Sequence, residues 1–303
     1  MLNTVIFDIG GVLLDWAPER AFEQVMDADE VPAFMERIGF HEWNRANDAR
    51  ASIAEAEDAL VRRFPSDEAA IRGYRQHFLH SVTGMVPGTA AVIAELSRDG
   101  VAMGALTNWA AETFALARAQ FGVLDRCRDI VVSGEEGVIK PDPQIYLSAC
   151  RRLGVDPGQV IFVDDSATNV AAAEELGLTG VRFSSAEQLR ADLVGLGLLG
   201  PRVPVTEPVL HWALGTDWDA ALASGEYGWS TRGTAYDEAG FVHCSFAAQV
   251  DGIRRELYGD LPDADLVLLQ LDPADLPIVV EDGYPHLFAP LPVDRARAVD
   301  RAS

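Results

Sequence analysis

The chain has 303 residues and carries 47 acidic against 24 basic side chains, a formal charge of −23. A surface of that sign repels the phosphates of nucleic acid and of anionic lipid headgroups, which argues against a nucleic acid polymer or a membrane as partner. Hydrophobic residues at 49% and charged residues at 23% exclude a disordered or fibrous chain, and the length exceeds the ~100 to 200 residues of one ordinary domain.

Thr4 to Phe7 is a short apolar run that stops at Asp8 and the pair Gly10-Gly11, the pattern of a buried strand ending in a tight loop. From about Pro18 to Met85 the pattern turns helical and charged, as in Ile53 to Phe64 and Glu68 to His80, with no strand expected. Further apolar strands follow at Val101 to Leu106, Ile130 to Val132, Val160 to Val163 and Gly180 to Phe183, with helices such as Ala110 to Phe121 and Pro143 to Leu153 between them. Strands that alternate with helices predict a parallel sheet covered on both faces, and a helical segment inserted after the first strand lies over the strand ends. The proline-rich Gly200 to Pro208 reads as a linker, placing one domain at 1–200 with its insertion at about 16–85, a linker at 201–208 and a second domain at 209–303. The second domain starts with a strand at Val209 to Leu214 and continues with strands at Gly240 to Ser245 and Leu266 to Leu271 and a helix at Ala247 to Tyr258, so it is expected to be a small α+β unit. Cys127, Cys150 and Cys244 form no C-x-x-C pair, and the first residues lack both a basic region and a long apolar run. A cytoplasmic protein is expected from these two features, and nothing in the sequence specifies an oligomeric state.

Four polar groups follow four of the predicted parallel strands: Asp8, Thr107-Asn108, Lys140 and Asp164-Asp165. Their chemistry is coherent for phosphoryl transfer, which needs an in-line nucleophile and positive charge around the equatorial oxygens. Asp8 offers a carboxylate nucleophile able to form an acyl phosphate, Thr107 and Asn108 offer neutral donors, and Lys140 offers a fixed positive charge. Asp165, with Asp164 and Asn169 beside it, offers hard oxygen ligands suited to Mg2+, without which the acidic residues would repel each other and a small phosphorylated metabolite as substrate.

In order and spacing, Phe-Asp8-Ile-Gly-Gly-Val-Leu, Leu-Thr107-Asn108, Lys140-Pro-Asp-Pro and Phe-Val-Asp164-Asp165-Ser-x-x-Asn169 resemble the four motifs of the haloacid dehalogenase-like hydrolase superfamily. The resemblance spans roughly residues 1 to 195 and implies a Rossmann-like three-layer parallel-sheet core with an inserted α-helical cap, an aspartyl-phosphate on Asp8, and Mg2+ held by Asp8, the Gly10 carbonyl, Asp164 and above all Asp165. One position departs from most phosphatases of the superfamily: where they carry a second Asp, two residues after the nucleophile, this chain has Gly10. The proton donor must then lie elsewhere, with Asp15, His41 and Glu42 as candidates. Asp15 reads equally as a helix cap, and Phe40-His41-Glu42-Trp43-Asn44 resembles the substrate-contacting cap segment of a subgroup that includes sugar phosphate phosphatases. Two other readings stay open: a metal-free dehalogenase, against which the paired Asp164-Asp165 argues, and a silent binding module, against which the survival of Asp8, Lys140 and both later carboxylates argues.

In the second domain, Val-Leu-His211-Trp, Gly-Phe-Val-His243-Cys-Ser245 and Tyr-Pro-His286-Leu-Phe resemble the family called domain of unknown function 952. That family is remotely similar to ADP-ribosyltransferases, which implies a cleft for NAD or a related nucleotide near His211, His243 and His286. The wide separation of these histidines shows no metal-ligand spacing.

Overall fold

The computed structural model describes residues 1–299; the end of the expected second domain, residues 300–303, lies outside the described residues. The chain divides into two compact units. One comprises residues 1–86, 101–120 and 124–192, the other, among the described residues, 87–100, 121–123 and 193–299. The helix Thr89–Arg98 therefore groups with the C-terminal part of the chain.

The first unit is built on a five-stranded, wholly parallel sheet in the order Ile130–Val132, Ala102–Thr107, Thr4–Phe7, Val160–Asp164, Thr179–Arg182. Every residue of Thr4–Phe7 and of Val160–Asp164 is buried. Continuous burial is what a central parallel strand requires, because both of its faces are covered, and it explains why these strands read as unbroken apolar runs. On one face Ile6, Leu106 and Phe162 pack with Ile145, Tyr146 and Ala149 of the helix Pro143–Leu153. That helix starts on a side-chain cap, Asp142 accepting from the Gln144 N–H, carries Pro143 in its first turn and stops at left-handed Gly154. The result is the α/β, Rossmann-like core expected from the sequence, with all strand ends on one edge.

The insertion is built mainly from the helices Val31–Ile38, Phe40–Asn47, Ala54–Arg63 and Glu68–Gln76. Phe22, Phe40 and Tyr74 form its aromatic centre, with ring centroids 4.8 to 5.4 Å apart. No strand was expected between about Pro18 and Met85, yet Val82–Met85 pairs antiparallel with Leu14–Trp16 to form a short hairpin at the root of the insertion. Four residues interrupted by Gly84, at φ +138°, are too few to show a period of two.

The second unit is α+β. Val209–Leu214, Leu266–Leu271 and Ala296–Ala298 make one antiparallel sheet, and Val242–His243, Tyr284–Leu287 and Ile278–Glu281 make another. Trp212 and Leu266 pack on Val250 and Tyr258 of the helix Val250–Tyr258. Among the described residues no helix is long and apolar enough to cross a membrane.

Candidate active site

Asp8 leaves the first strand with its N–H donating to Val163 O (2.7 Å), and its Oδ1 accepts from the Ile9 N–H (2.7 Å). The chain then turns through Gly11, at φ +74°, where a Cβ would stand 2.8 Å from Asp165 Oδ2. Only glycine fits there on both counts, so the first loop and the fourth-motif carboxylate are built to touch.

Lys140 is 1% exposed, and its Nζ lies 2.8 Å from Asp8 Oδ1, 2.8 Å from Asp164 Oδ2 and 2.9 Å from Leu106 O. An ammonium has three hydrogens, and these three acceptors use them all. Asn108 fixes the same lysine through its backbone: Oδ1 accepts from the Lys140 N–H (2.7 Å) and Nδ2 donates to the Lys140 carbonyl (3.0 Å). The side chain offered as a phosphate donor is thus also the clamp that sets Lys140. Thr107, fully buried, ends its strand beside it.

Asp164 is completely buried and accepts from the Ser166 N–H, from Lys140 Nζ and, through both oxygens, from Asn169 Nδ2 at 3.1 Å. Asp165 is the exposed member of the pair. One carboxylate oxygen from each of Asp8, Asp164 and Asp165 lies within 4.8 Å of the others, the only group of three or more His, Cys, Asp or Glu so placed among the described residues. Burial pushes the Asp8 carboxyl above its ordinary pKa, with Lys140 opposing and Asp164 reinforcing the shift. Burial pulls on Lys140 too, but Asp8 and Asp164 outweigh it and keep the ammonium protonated. Three carboxylates against one ammonium leave an excess of negative charge. Hard, closely set oxygens of this kind fit a divalent cation such as Mg2+.

These groups open into a cavity of 310 Å3, within the usual range of small-molecule sites. Strand ends contribute Asp8, Thr107, Asn108, Lys140 and Asp165; the hairpin contributes Asp15 and Trp16; the insertion contributes Asn44, Asp48, Ile53, Tyr74 and Phe78. Asp15 accepts from the Trp16 N–H and from Thr83 Oγ1 across the hairpin. Of the cap segment expected at the substrate, His41 and Glu42 are exposed and Trp43 packs on Phe40 and Tyr74, and none of the three lines the cavity. The wall is made by Asn44, the last residue of that segment, and by Asp48 one turn later. Sequence reading missed Asp48 because Asn-Asp at a helix end looks like an ordinary terminus; its i, i+4 spacing from Asn44 is the only local signal of a shared face.

In the second unit His211 is buried with both ring nitrogens engaged, Nδ1 donating to the His243 carbonyl (2.6 Å) and Nε2 accepting from the Tyr227 hydroxyl (3.1 Å). Burial pushes its pKa down to about 4, so it stays neutral as a structural group. His243 and His286 are cross-strand partners with ring centroids 5.3 Å apart, held at Nδ1 by Ser230 and Glu281 respectively, and Phe241 stacks on His286.

A parallel α/β sheet with an aspartate, a lysine and a carboxylate pair at its strand ends defines a hydrolase core of the haloacid dehalogenase type. The family model for haloacid dehalogenase-like hydrolases matches residues 2–177, and the chain belongs to that family. Residues 213–299 match the model of DUF952, a protein family of unknown function. N-acetylmuramic acid 6-phosphate phosphatase of Pseudomonas aeruginosa is 29% identical over 185 residues, covering 58% of this chain and 79% of that protein. (S)-2-haloacid dehalogenase 4A of Burkholderia cepacia is 28% identical over 198 residues, covering 60% and 83%. Among solved structures, a HAD-like family hydrolase of Porphyromonas gingivalis superposes with a TM-score of 0.50 at 19% identity, over 65% of this chain and 98% of that one, a likeness of fold.

Proposed function

We propose that the first unit is a Mg2+-dependent phosphatase that hydrolyses a small phosphomonoester, of the size of a sugar phosphate, through an aspartyl-phosphate on Asp8. The observation that carries this reading is the convergence of Asp8, Asp164 and Asp165 around a buried Lys140 at the floor of a small cavity. Relatives named as phosphatases support it.

Asp8 Oδ1 is held by Lys140 and the Ile9 N–H, while Oδ2 carries no hydrogen bond among the described residues and is the atom left to attack phosphorus. Asp8, the Gly10 carbonyl and Asp165 would hold the cation, with Asp164 locked behind them by Asn169 and Lys140. A bound Mg2+ supplies the positive charge that lets a phosphate dianion sit against a carboxylate. Thr107 lines the cavity and would offer its hydroxyl to the phosphate oxygens, and the aromatic wall of Trp16, Tyr74 and Phe78 would limit water around the leaving group.

The test is turnover of an aryl phosphate by the full chain. Activity is expected only with Mg2+, and Asp8→Asn should remove it, a loss of at least about a thousandfold for a missing nucleophile. Halide release from a 2-haloacid that persists in a chelator would replace this reading with the dehalogenase one.

A further inference from the structure

Splitting an alkyl phosphate expels an alkoxide, which needs a proton as it leaves. Within the cavity Asp8 is the nucleophile of the reading above, Asp165 would hold the cation, and all three hydrogens of Lys140 are engaged. Gly10 has no side chain to offer. Three titratable groups remain on the wall: Asp15, Tyr74 and Asp48. Asp15 is exposed and tied to Thr83 across the hairpin, and burial pushes the Tyr74 phenol far above any working pH.

We propose that Asp48 donates the proton to the leaving oxygen and then serves as base for the attacking water. This rests on the phosphatase reading. In-line attack by Asp8 puts the leaving oxygen on the far side of phosphorus, toward the part of the wall that the insertion supplies. Asp48 belongs to that part, and its backbone is stitched to the core: Ser133 Oγ donates to its carbonyl (2.6 Å), the Ala111 N–H to Arg50 O (3.1 Å) and the Glu112 N–H to Ala51 O (2.9 Å). Ser52 Oγ and the Ile53 N–H both donate to Glu112 Oε2. The backbone is thus fixed, while the Asp48 carboxyl carries no hydrogen bond among the described residues and is free to turn to substrate. Arg45, Asp8, Lys140, Tyr74, Asp15 and Asp165 are the charged or titratable groups facing it. Burial, the largest influence, pushes its pKa up to about 7, with Arg45 and Lys140 opposing and Asp8 reinforcing, so both protonation states are populated near neutrality.

The proton balance closes. As the Asp8 Oδ2–P bond forms and the P–O(ester) bond breaks, the Asp48 proton passes to the ester oxygen and the alcohol departs. Asp48 carboxylate then takes a proton from water while the water oxygen attacks phosphorus, the P–Oδ2 bond breaks, and phosphate leaves with Asp8 free and Asp48 protonated again.

The test compares Asp48→Asn with wild type on an alkyl phosphate and on 4-nitrophenyl phosphate, whose leaving group needs no proton. We expect kcat/KM on the alkyl ester to fall about a hundredfold or more and on the aryl ester by only a few fold. A burst of 4-nitrophenol is expected from the variant as phosphoenzyme accumulates without its base. A Cβ at Gly10 meets nothing within 4 Å, so adding Gly10→Asp to the Asp48→Asn variant should return part of the alkyl activity by placing a carboxyl two residues from the nucleophile. Equal losses on both esters, or none, with wild-type turnover intact, would overturn the role of Asp48 alone. A wild type without Mg2+-dependent turnover of either ester would overturn the phosphatase reading, and this assignment with it.

Discussion

Lys140 touches two carboxylates and a carbonyl and has no hydrogen left over. Its position makes it a holder of Asp8, the proposed nucleophile, rather than a grip on substrate. The same burial gives the site a measurable pH signature. The Asp8 carboxyl is pushed from its ordinary 3.8 up to about 7, so between those values the folded protein binds a proton that the unfolded chain has released. Stability of the cation-free protein should therefore fall as pH rises through that window and level off above it, with the raised Asp48 adding in the same direction. Mg2+ favours the charged carboxylate, so its stabilising effect should be largest above about pH 7 and vanish near pH 4. Thermal melts with chelator and with Mg2+ across this range check both statements, and melts that do not depend on pH would contradict them.

Among the joints between the elements that serve the site is a seam between residues 48–53 of the insertion and residues 109–112 after the second core strand, which Arg75 and Phe78 extend at Glu112 and Trp109. Ser133 sits at its centre, accepting from the Trp109 N–H (2.8 Å) and donating to the Asp48 carbonyl. Gly134 beside it is walled by backbone: a Cβ there would come within 2.3 Å of Ala111 N and 2.5 Å of Arg50 O. Ser133→Ala should cost about 1 to 3 kcal/mol, because it strands a buried N–H, and should reduce activity by loosening Asp48. Chemical denaturation with parallel kinetics measures the two effects; unchanged stability would mean that water replaces the hydroxyl. The seam was invisible in the sequence, since it joins segments 60 and 85 residues apart through two hydroxyls, one carboxylate and a few carbonyls. The core strands were legible because burial on both faces leaves an uninterrupted apolar run with a polar residue at its end, as in Thr4–Phe7 before Asp8. The hairpin strand Val82–Met85 was not legible, being short and broken by Gly84, and of the expected cap segment 40–44 only Asn44 reaches the cavity, where Asp48, outside that segment, joins it.

For the molecule as a whole, a charge of −23 sets a repulsive field around a cavity meant for an anion. Raising ionic strength from about 0.01 to 0.15 M shortens the screening length from about 30 to 8 Å. KM for a phosphate dianion should then decrease, while kcat, fixed by contacts inside the cavity, should change little. Steady-state kinetics across that salt series at constant Mg2+ would show it, and a KM that rises with salt would mean that local cations dominate the approach.

The helix Thr89–Arg98 lies between the first and second core strands in sequence yet groups in space with residues from 193 on, where Arg202 meets the buried Glu95 (3.3 Å). The linear order of domains is therefore not a cutting map. Severing the chain after residue 200 would part that helix from Arg202 and leave Glu95 without this cation.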